Sequence, residues 1–416
     1  MQAVQPNPAV GSHGGSGRVR DPRLDFFRGV GMFIIFIAHV PGNWWTLWIP
    51  ARYGFSDATE MFVFCSGMAS AIAFGRVFSD RGMVMGSARI AHRVWQVYWA
   101  HIALFFAVAM SMAALDASEI LPQYNYINYL NLWPFFNNTP ENLLGLMTLT
   151  YVPNYFDILP MYLVILAMIP LIIALARFGG IKAVAVFCIS LWLVASFGVI
   201  DPPAEPWSDR PWFFNPFSWQ LIFFTGFCFG LGLLKAPPIE PRLVILALVI
   251  VVISIPFAYY RVYNLEGYEF LKEIRGHIGY FYNKTHFGLF RYLHFLALAY
   301  LAYSLAGEGG RRLMYGGLYG KCVSVVRKVG QQSLAVFLTS MFIARLAGVM
   351  FDAFGKSELM MVLVNGTGFA ILIATAYTVA WFKSQPWRKP APVAKHKAQP
   401  EQTGPPSSPS LAEQRA

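Results

Sequence analysis

Arg28 and His39 stand eleven residues apart in the apolar stretch RDPRLDFFRGVGMFIIFIAHVPGNWW, residues 20–45. At 3.6 residues per turn that is about three whole turns, so a helix carries both side chains on one face, about 16 Å apart along its axis. Arg28 marks the basic edge of the stretch. His39 falls deep in apolar sequence, where a titratable side chain is expensive and is a functional candidate by default. A face joining a cytoplasmic cation to a buried imidazole suits a molecule with a phosphate head and a reactive end. The same imidazole also suits a plain hydrogen bond to a neighbouring helix, and taken alone it does not choose between the two.

Its companions widen the chemistry. In GFSDATEMFVFCSG, residues 54–67, Asp57 and Glu60 share a face at the outer end of a second apolar run. Two carboxylates there need partners, a proton or solvent. A carboxylate beside an imidazole raises its basicity and fixes its tautomer, as a general base requires. For Asp57, capping the helix is an equal reading. In ARIAHRVWQVYW, residues 88–99, Arg89 and Arg93 lie one turn apart with His92 between them. They read either as anchoring on the basic side of the membrane or as a phosphate clamp beside Arg28. In NKTHFGLFRYLHFLALAY, residues 283–300, Arg291 and His294 share a face, with Lys284 and His286 just before them. This basic cluster suits ion pairing with Asp57, Glu60 or Asp157, and equally suits holding a negatively charged acyl group. Aromatic and amide side chains crowd the same side of the membrane. They include Trp44, Trp45 and Trp48, then Tyr124 to Trp133, then Trp207, Trp212, Asn215, Trp219 and Gln220. They form an aromatic belt, or a surface on which sugar rings stack and find hydrogen-bond partners.

The elements that must position these residues are membrane helices. The chain has 416 residues, of which 56% are hydrophobic and 13% charged, with a mean hydropathy of +0.48. That composition predicts an all-α, polytopic membrane protein rather than a soluble domain. Ten apolar runs are near spanning length: about 29–49, 58–78, 93–115, 157–177, 181–200, 215–234, 243–260, 291–306, 330–351 and 359–382. Residues 141–151 add a short re-entrant or interfacial piece. The net charge of +11 comes from Lys and Arg between the spans and does not argue for nucleic acid. Segment 116–156 has no Lys or Arg at all. The positive-inside rule then puts both termini in the cytoplasm. The segment 261–290 is the exception, where Arg261, Lys272, Arg275 and Lys284 lie outside among Glu266, Glu269 and Glu273. Residues 1–17 and 388–416 read as disordered ends flanking one integral membrane domain, 18–387. No cleavable signal is visible. The cysteines Cys65, Cys188, Cys228 and Cys322 have no metal-ligand spacing and read as small apolar residues.

Six segments together resemble the OpgC family, whose members modify osmoregulated periplasmic glucans. They are RDPRLDFFRG, GFSDATEMFVFCSG, FDILPMYLVIL (156–166), NPFSWQLIFFTG (215–226), NKTHFGLFRYLHFLALAY and VGQQSLAVF (329–337), in order from about residue 20 to 340. That family resembles the wider acyltransferase-3 membrane superfamily, which carries an arginine and then a histidine on its first helix. Arg28 and His39 match them. An Arg-rich opening to the third helix is matched by Arg89 and Arg93, with His92 where an arginine is often found.

The resemblance implies an inner-membrane O-acyltransferase that moves succinyl from cytoplasmic succinyl-CoA to glucose hydroxyls of a periplasmic glucan. Its expected partners are acyl-CoA, the glucan, the lipid bilayer and other glucan-synthesis proteins, with no metal and no tightly bound cofactor. In the implied scheme Arg28, Arg89 and Arg93 bind the donor phosphates. His39 takes the hydroxyl proton or accepts the acyl group, and Asp57 and Glu60 orient it. Lys284, Arg291 or His294 attracts the acyl carboxylate or the oxyanion. Trp44, Trp45, Asp157, Trp219 and Gln220 meet the acceptor. The rivals are acetylation of another envelope polysaccharide or lipid, a secondary transporter, and a non-enzymatic partner of glucan assembly. No repeated half supports a transporter.

Overall fold

The computed structural model describes residues 21–388. The ends expected to be disordered, apart from Arg388 itself, lie outside the described residues, as do Arg18 and Arg20.

Helix α1 is Pro22–His39. Asp21 caps it by accepting the Arg23 backbone N–H, and Pro22 supplies a first-turn residue that has no N–H to waste. The helix stops where Val40 turns extended and Pro41 follows. The expected first span, 29–49, is therefore ten residues too long at its C-terminal end. Pro41 and Gly42, the latter at φ 76°, end the helix, and Asn43 caps a separate 3₁₀ turn, Trp44–Trp48. His39 is the last residue of a helix, not a residue deep inside one.

Helix α2 runs Ala58–Ala117 and begins with a reciprocal capping box between Asp57 and Glu60. Gly82, at φ 79°, breaks it into two arms. Short helices α3 (Tyr126–Tyr129), α4 (Trp133–Asn137) and α5 (Thr139–Thr148) fill the segment without lysine or arginine. Helix α6, Ile158–Ser196, is broken in turn at Gly179 and Gly180. Arg177 donates to the Phe78 carbonyl at 2.6 Å, so the two glycine breaks meet at one end of the molecule. Helix α7 is Pro216–Leu231, and α8 is Pro241–Ala258. The single turn α9 (Tyr260–Tyr263) and the amphipathic α10 (Glu269–His277) lead to α11, Leu289–Ala306. Then come α12 (Gly317–Gln331), α13 (Ser333–Phe354) and α14 (Glu358–Ser384). The expected ninth span, 330–351, starts too early, because the chain turns at Gln332 and α12 is a separate amphipathic helix.

Among the described residues the fold is all-α, with strand-type pairing confined to one bridge between Pro203 and Pro211. Six helices are long and apolar enough to cross a membrane: α2, α6, α8, α11, α13 and α14. Helix α7 is apolar but shorter, at 16 residues, and α1 carries Arg23, Asp25 and Arg28 within its length. The ten apolar runs fall on eight helices, since α2 and α6 each take up two.

Glycines set how closely the helices approach. A methyl group on Gly330 would lie 1.8 Å from the Asp25 carbonyl oxygen, and one on Gly29 would lie 2.0 Å from that of Val326, so α12 lies flush against α1. Gly67 and Gly226 do the same between α2 and α7. Helices α1 and α13 run in the same direction. Arg28 bonds Ser333 at the start of both, and Pro41 lies against Gly348 near their ends.

Candidate functional site

The His39 ring is fixed by its own helix. Its Nδ1 lies 2.7 Å from the Ile35 carbonyl oxygen, one turn back. A carbonyl only accepts, so Nδ1 holds the proton and Nε2 of the neutral ring carries the lone pair. Tyr155 makes a T-shaped contact with the imidazole, with ring centroids 5.4 Å apart at 74°. Tyr155 holds a positive φ of 89°, and its hydroxyl donates to the Met341 carbonyl of α13 at 2.5 Å. The Arg345 guanidinium lies 5.1 Å from the Tyr155 ring centroid. The charged groups that act on His39 are Lys284, Asp57 and Arg345.

Beside this lies a compact ionic quartet. Lys284 Nζ is 2.6 Å from Asp57 Oδ2, and Arg291 reaches the same oxygen at 3.2 Å. Arg291 also donates through Nε to Glu60 Oε1 at 2.6 Å. The other Glu60 oxygen accepts the Asp57 backbone N–H at 2.8 Å, as the capping box requires. Each of these partners of Glu60 is a donor, so the geometry suits an ionised carboxylate, and two cations balance two anions. Glu60 is wholly buried. The expected ion pairing of the basic cluster with Asp57 and Glu60 is present. The expected orientation of His39 by a carboxylate is not, because the Ile35 carbonyl does that work while Asp57 and Glu60 hold Arg291 and Lys284.

His294 takes another place than the one expected of an anion-binding residue. It is buried, and its Nδ1 accepts the Ser56 backbone N–H at 3.3 Å, with the Ser56 hydroxyl at 2.7 Å. A methyl group on Gly54 would lie 2.1 Å from its Nε2. The ring therefore pins the 54–57 turn that delivers Asp57.

Lys284 is positioned by a backbone clasp. The Trp219 indole donates to the Lys284 carbonyl at 2.9 Å, and the Asn215 N–H donates to the Thr285 carbonyl at 3.1 Å. The Trp192 indole donates to the Phe287 carbonyl at 2.9 Å. The rings of Phe213 and Phe214 lie against the ammonium. Trp219 and Gln220 are fully buried, with Gln220 donating to the Cys188 carbonyl at 2.7 Å. Both belong to the frame, not to a surface that an acceptor reaches. Asp157 is also buried and accepts the Phe213 N–H at 3.3 Å, so the basic cluster pairs with Asp57 and Glu60 and not with it.

Trp44 and Trp45 line an open groove of about 460 Å³ with Ile34, Ile37, Trp48 and Ile49. At the opposite end of α1, Arg28 bonds the Ser333 hydroxyl and Asp25 accepts from Gln331 at 3.1 Å. Arg89 is exposed, and Arg93 donates to Gln96 of its own helix at 3.3 Å. Both follow the Gly82 break.

The family model described as OpgC protein matches residues 20–384. The chain belongs to the OpgC family. At the level of that family it is a glucan-modifying membrane acyltransferase. No curated protein and no solved structure matches it. The motifs that carried the OpgC resemblance turn out to be each other's partners. GFSDATE meets FRYLH in the quartet and at Ser56–His294, NPFSW clasps NKTHF, and RLDFFRG meets VGQQS.

Three functional candidates escaped sequence reasoning. Arg345 stands inside an apolar run, which is itself the signal. Asn365 likewise interrupts the last span and forms a buried amide pair with Asn43, at 2.8 Å. Tyr155 gave no signal, since its contacts are long-range.

Proposed function

We propose that this OpgC-family chain is a multi-pass inner-membrane O-acyltransferase that moves succinyl from cytoplasmic acyl-CoA to hydroxyls of a periplasmic glucan. One observation carries the reading: His39, with Nδ1 tied to Ile35 and Nε2 left basic, shares one unbroken helix with Arg28. The glycine-broken α2 and α6 each cross twice, giving ten crossings with both termini cytoplasmic.

The donor phosphates sit near Arg28, aided by Arg89 and Arg93, and the pantetheine arm brings the thioester along α1. The acceptor hydroxyl loses its proton to His39 Nε2 as its oxygen attacks the thioester carbonyl. The new C–O bond forms, the C–S bond breaks, and the thiolate leaves with the proton that His39 carried. The quartet of Asp57, Glu60, Lys284 and Arg291 stiffens the wall of the site. Trp44, Trp45 and the outer loops receive the glucan.

Deleting the gene and weighing the periplasmic glucans tests this. A loss of succinate-sized increments with an intact backbone is expected. Unchanged glucans would overturn the reading, and loss of acetyl-sized increments would keep the transferase but change its donor.

A further inference from the structure

We infer that Arg345 is the specificity-determining residue of the acyl site, holding the distal carboxylate of a dicarboxylic acyl chain beside His39; this rests on the transferase reading above.

The register of two parallel helices sets the level of Arg345. Arg28 on α1 meets Ser333 on α13, and Pro41 lies against Gly348. Advancing both helices equally from the first contact brings His39 level with residue 344, one position from Arg345. Tyr155 closes the triangle, with its ring in T-shaped contact with His39 and under the Arg345 guanidinium, and its hydroxyl on the Met341 carbonyl.

Charge balance then singles Arg345 out. Lys284, which with Arg345 is the cation acting on His39, and Arg291 beside it already lie against Asp57 and Glu60. Arg28 is about 16 Å away along α1. Arg345 makes no salt bridge among the described residues, and its Nε is buried without a hydrogen-bond partner. The acid that acts on it through space is Asp352, two turns further along α13, whose carboxylate accepts the Tyr126 hydroxyl at 3.3 Å. A guanidinium in apolar surroundings is costly until an anion joins it. Its planar fork matches a carboxylate. The aromatic face of Tyr155 keeps it in place meanwhile. An acyl chain whose thioester carbonyl is at His39 and whose far end is a carboxylate would bring the guanidinium that anion. A neutral chain of equal length leaves the cation unmet.

The test compares succinyl-CoA with butyryl-CoA, the neutral donor of the same chain length, on protein in nanodiscs. Wild type should prefer succinyl-CoA. R345Q should lower kcat/KM for succinyl-CoA by about tenfold to a hundredfold, as loss of a charge-assisted pair predicts, and leave butyryl-CoA nearly unchanged. An equal fall for both donors, or an undiminished preference in R345Q, would overturn the inference and leave the transferase reading standing. If R345Q does not assemble, R345K decides. It keeps the charge without the fork, so a selective fall for succinyl-CoA supports the assignment, and no change or an equal fall refutes it. If wild type transfers neither group, the transferase reading fails and this inference fails with it.

Discussion

Ile35 decides what His39 is able to do. A backbone carbonyl on Nδ1 is a neutral orienter: it fixes the tautomer without adding the charge that a carboxylate would bring. His39→Ala should therefore abolish acyl transfer while sparing membrane insertion and CoA binding, with a rate loss of about 10²–10⁴-fold for a lost general base. Near-normal transfer by the folded variant, assayed in nanodiscs, would remove His39 from the chemistry. The quartet makes a different demand. Arg291→Met leaves the buried Glu60 without the cation it pairs with, a cost of about 3–5 kcal/mol, whereas Glu60→Met with Arg291→Met removes both charges together. Thermal unfolding in detergent should show the double variant well above the sum of the singles, and strict additivity would mean the pair is not coupled. At this scale the sequence was half legible. The spacing of Arg28 and His39 follows from helix geometry alone. Arg345 was equally visible in LTSMFIARLAG, but counting basic residues by loop passes over one inside a span. The partnership of His39 with Tyr155 depends on packing that no local pattern encodes.

Helix ends and connections are where the elements depart from the hydropathy pattern, and each departure has a physical cause. The first apolar run continues through Pro41 and Gly42 because the tryptophans beyond keep it apolar. The turn signal should have outweighed hydropathy. The α12–α13 break at Gln332 has no proline to announce it, Gly330 just before it serves the close approach to α1, and the change from an amphipathic to an apolar helix marks it. The kinks at Gly82 and Gly180, by contrast, lie in the gaps left between predicted spans. The connection between α6 and α7 offers a test at this scale. Burial pushes the Glu205 carboxyl up, but the Ser208 hydroxyl and the Arg210 guanidinium, at 2.5 and 3.0 Å, pull it further down, so it sits below its ordinary value. A lowered acid stabilises the fold above its unfolded value of about 4.3 and loses that contribution as pH falls through the lowered folded value. Hydrogen exchange across residues 201–212 should thus quicken as pH drops below about 4 once the intrinsic rate is removed, and Glu205→Gln should flatten the profile. An unchanged profile in that variant would assign the acid lability elsewhere.

For the whole molecule, the contacts give the helices consistent directions. The starts of α1 and α13 share one end with the Gly82 and Gly180 breaks, and His39, Asp57 and the start of α11 share the other. Cysteines placed at the exposed Tyr129 and after Trp387 should accordingly react with impermeant reagents from opposite sides of the membrane, and labelling of both from one side would defeat the ten-crossing topology. The quartet has a consequence for the medium in which the protein works. Its opposite charges are neighbours within 3.2 Å, far inside the Debye length of about 8 Å at physiological ionic strength. Dissolved ions cannot intervene between groups so close and so sheltered, and charges that cancel in place cast little field into the solution. Dilution of the surrounding salt therefore leaves the architecture of the site as it was, and the protein is suited to a compartment whose ionic strength rises and falls.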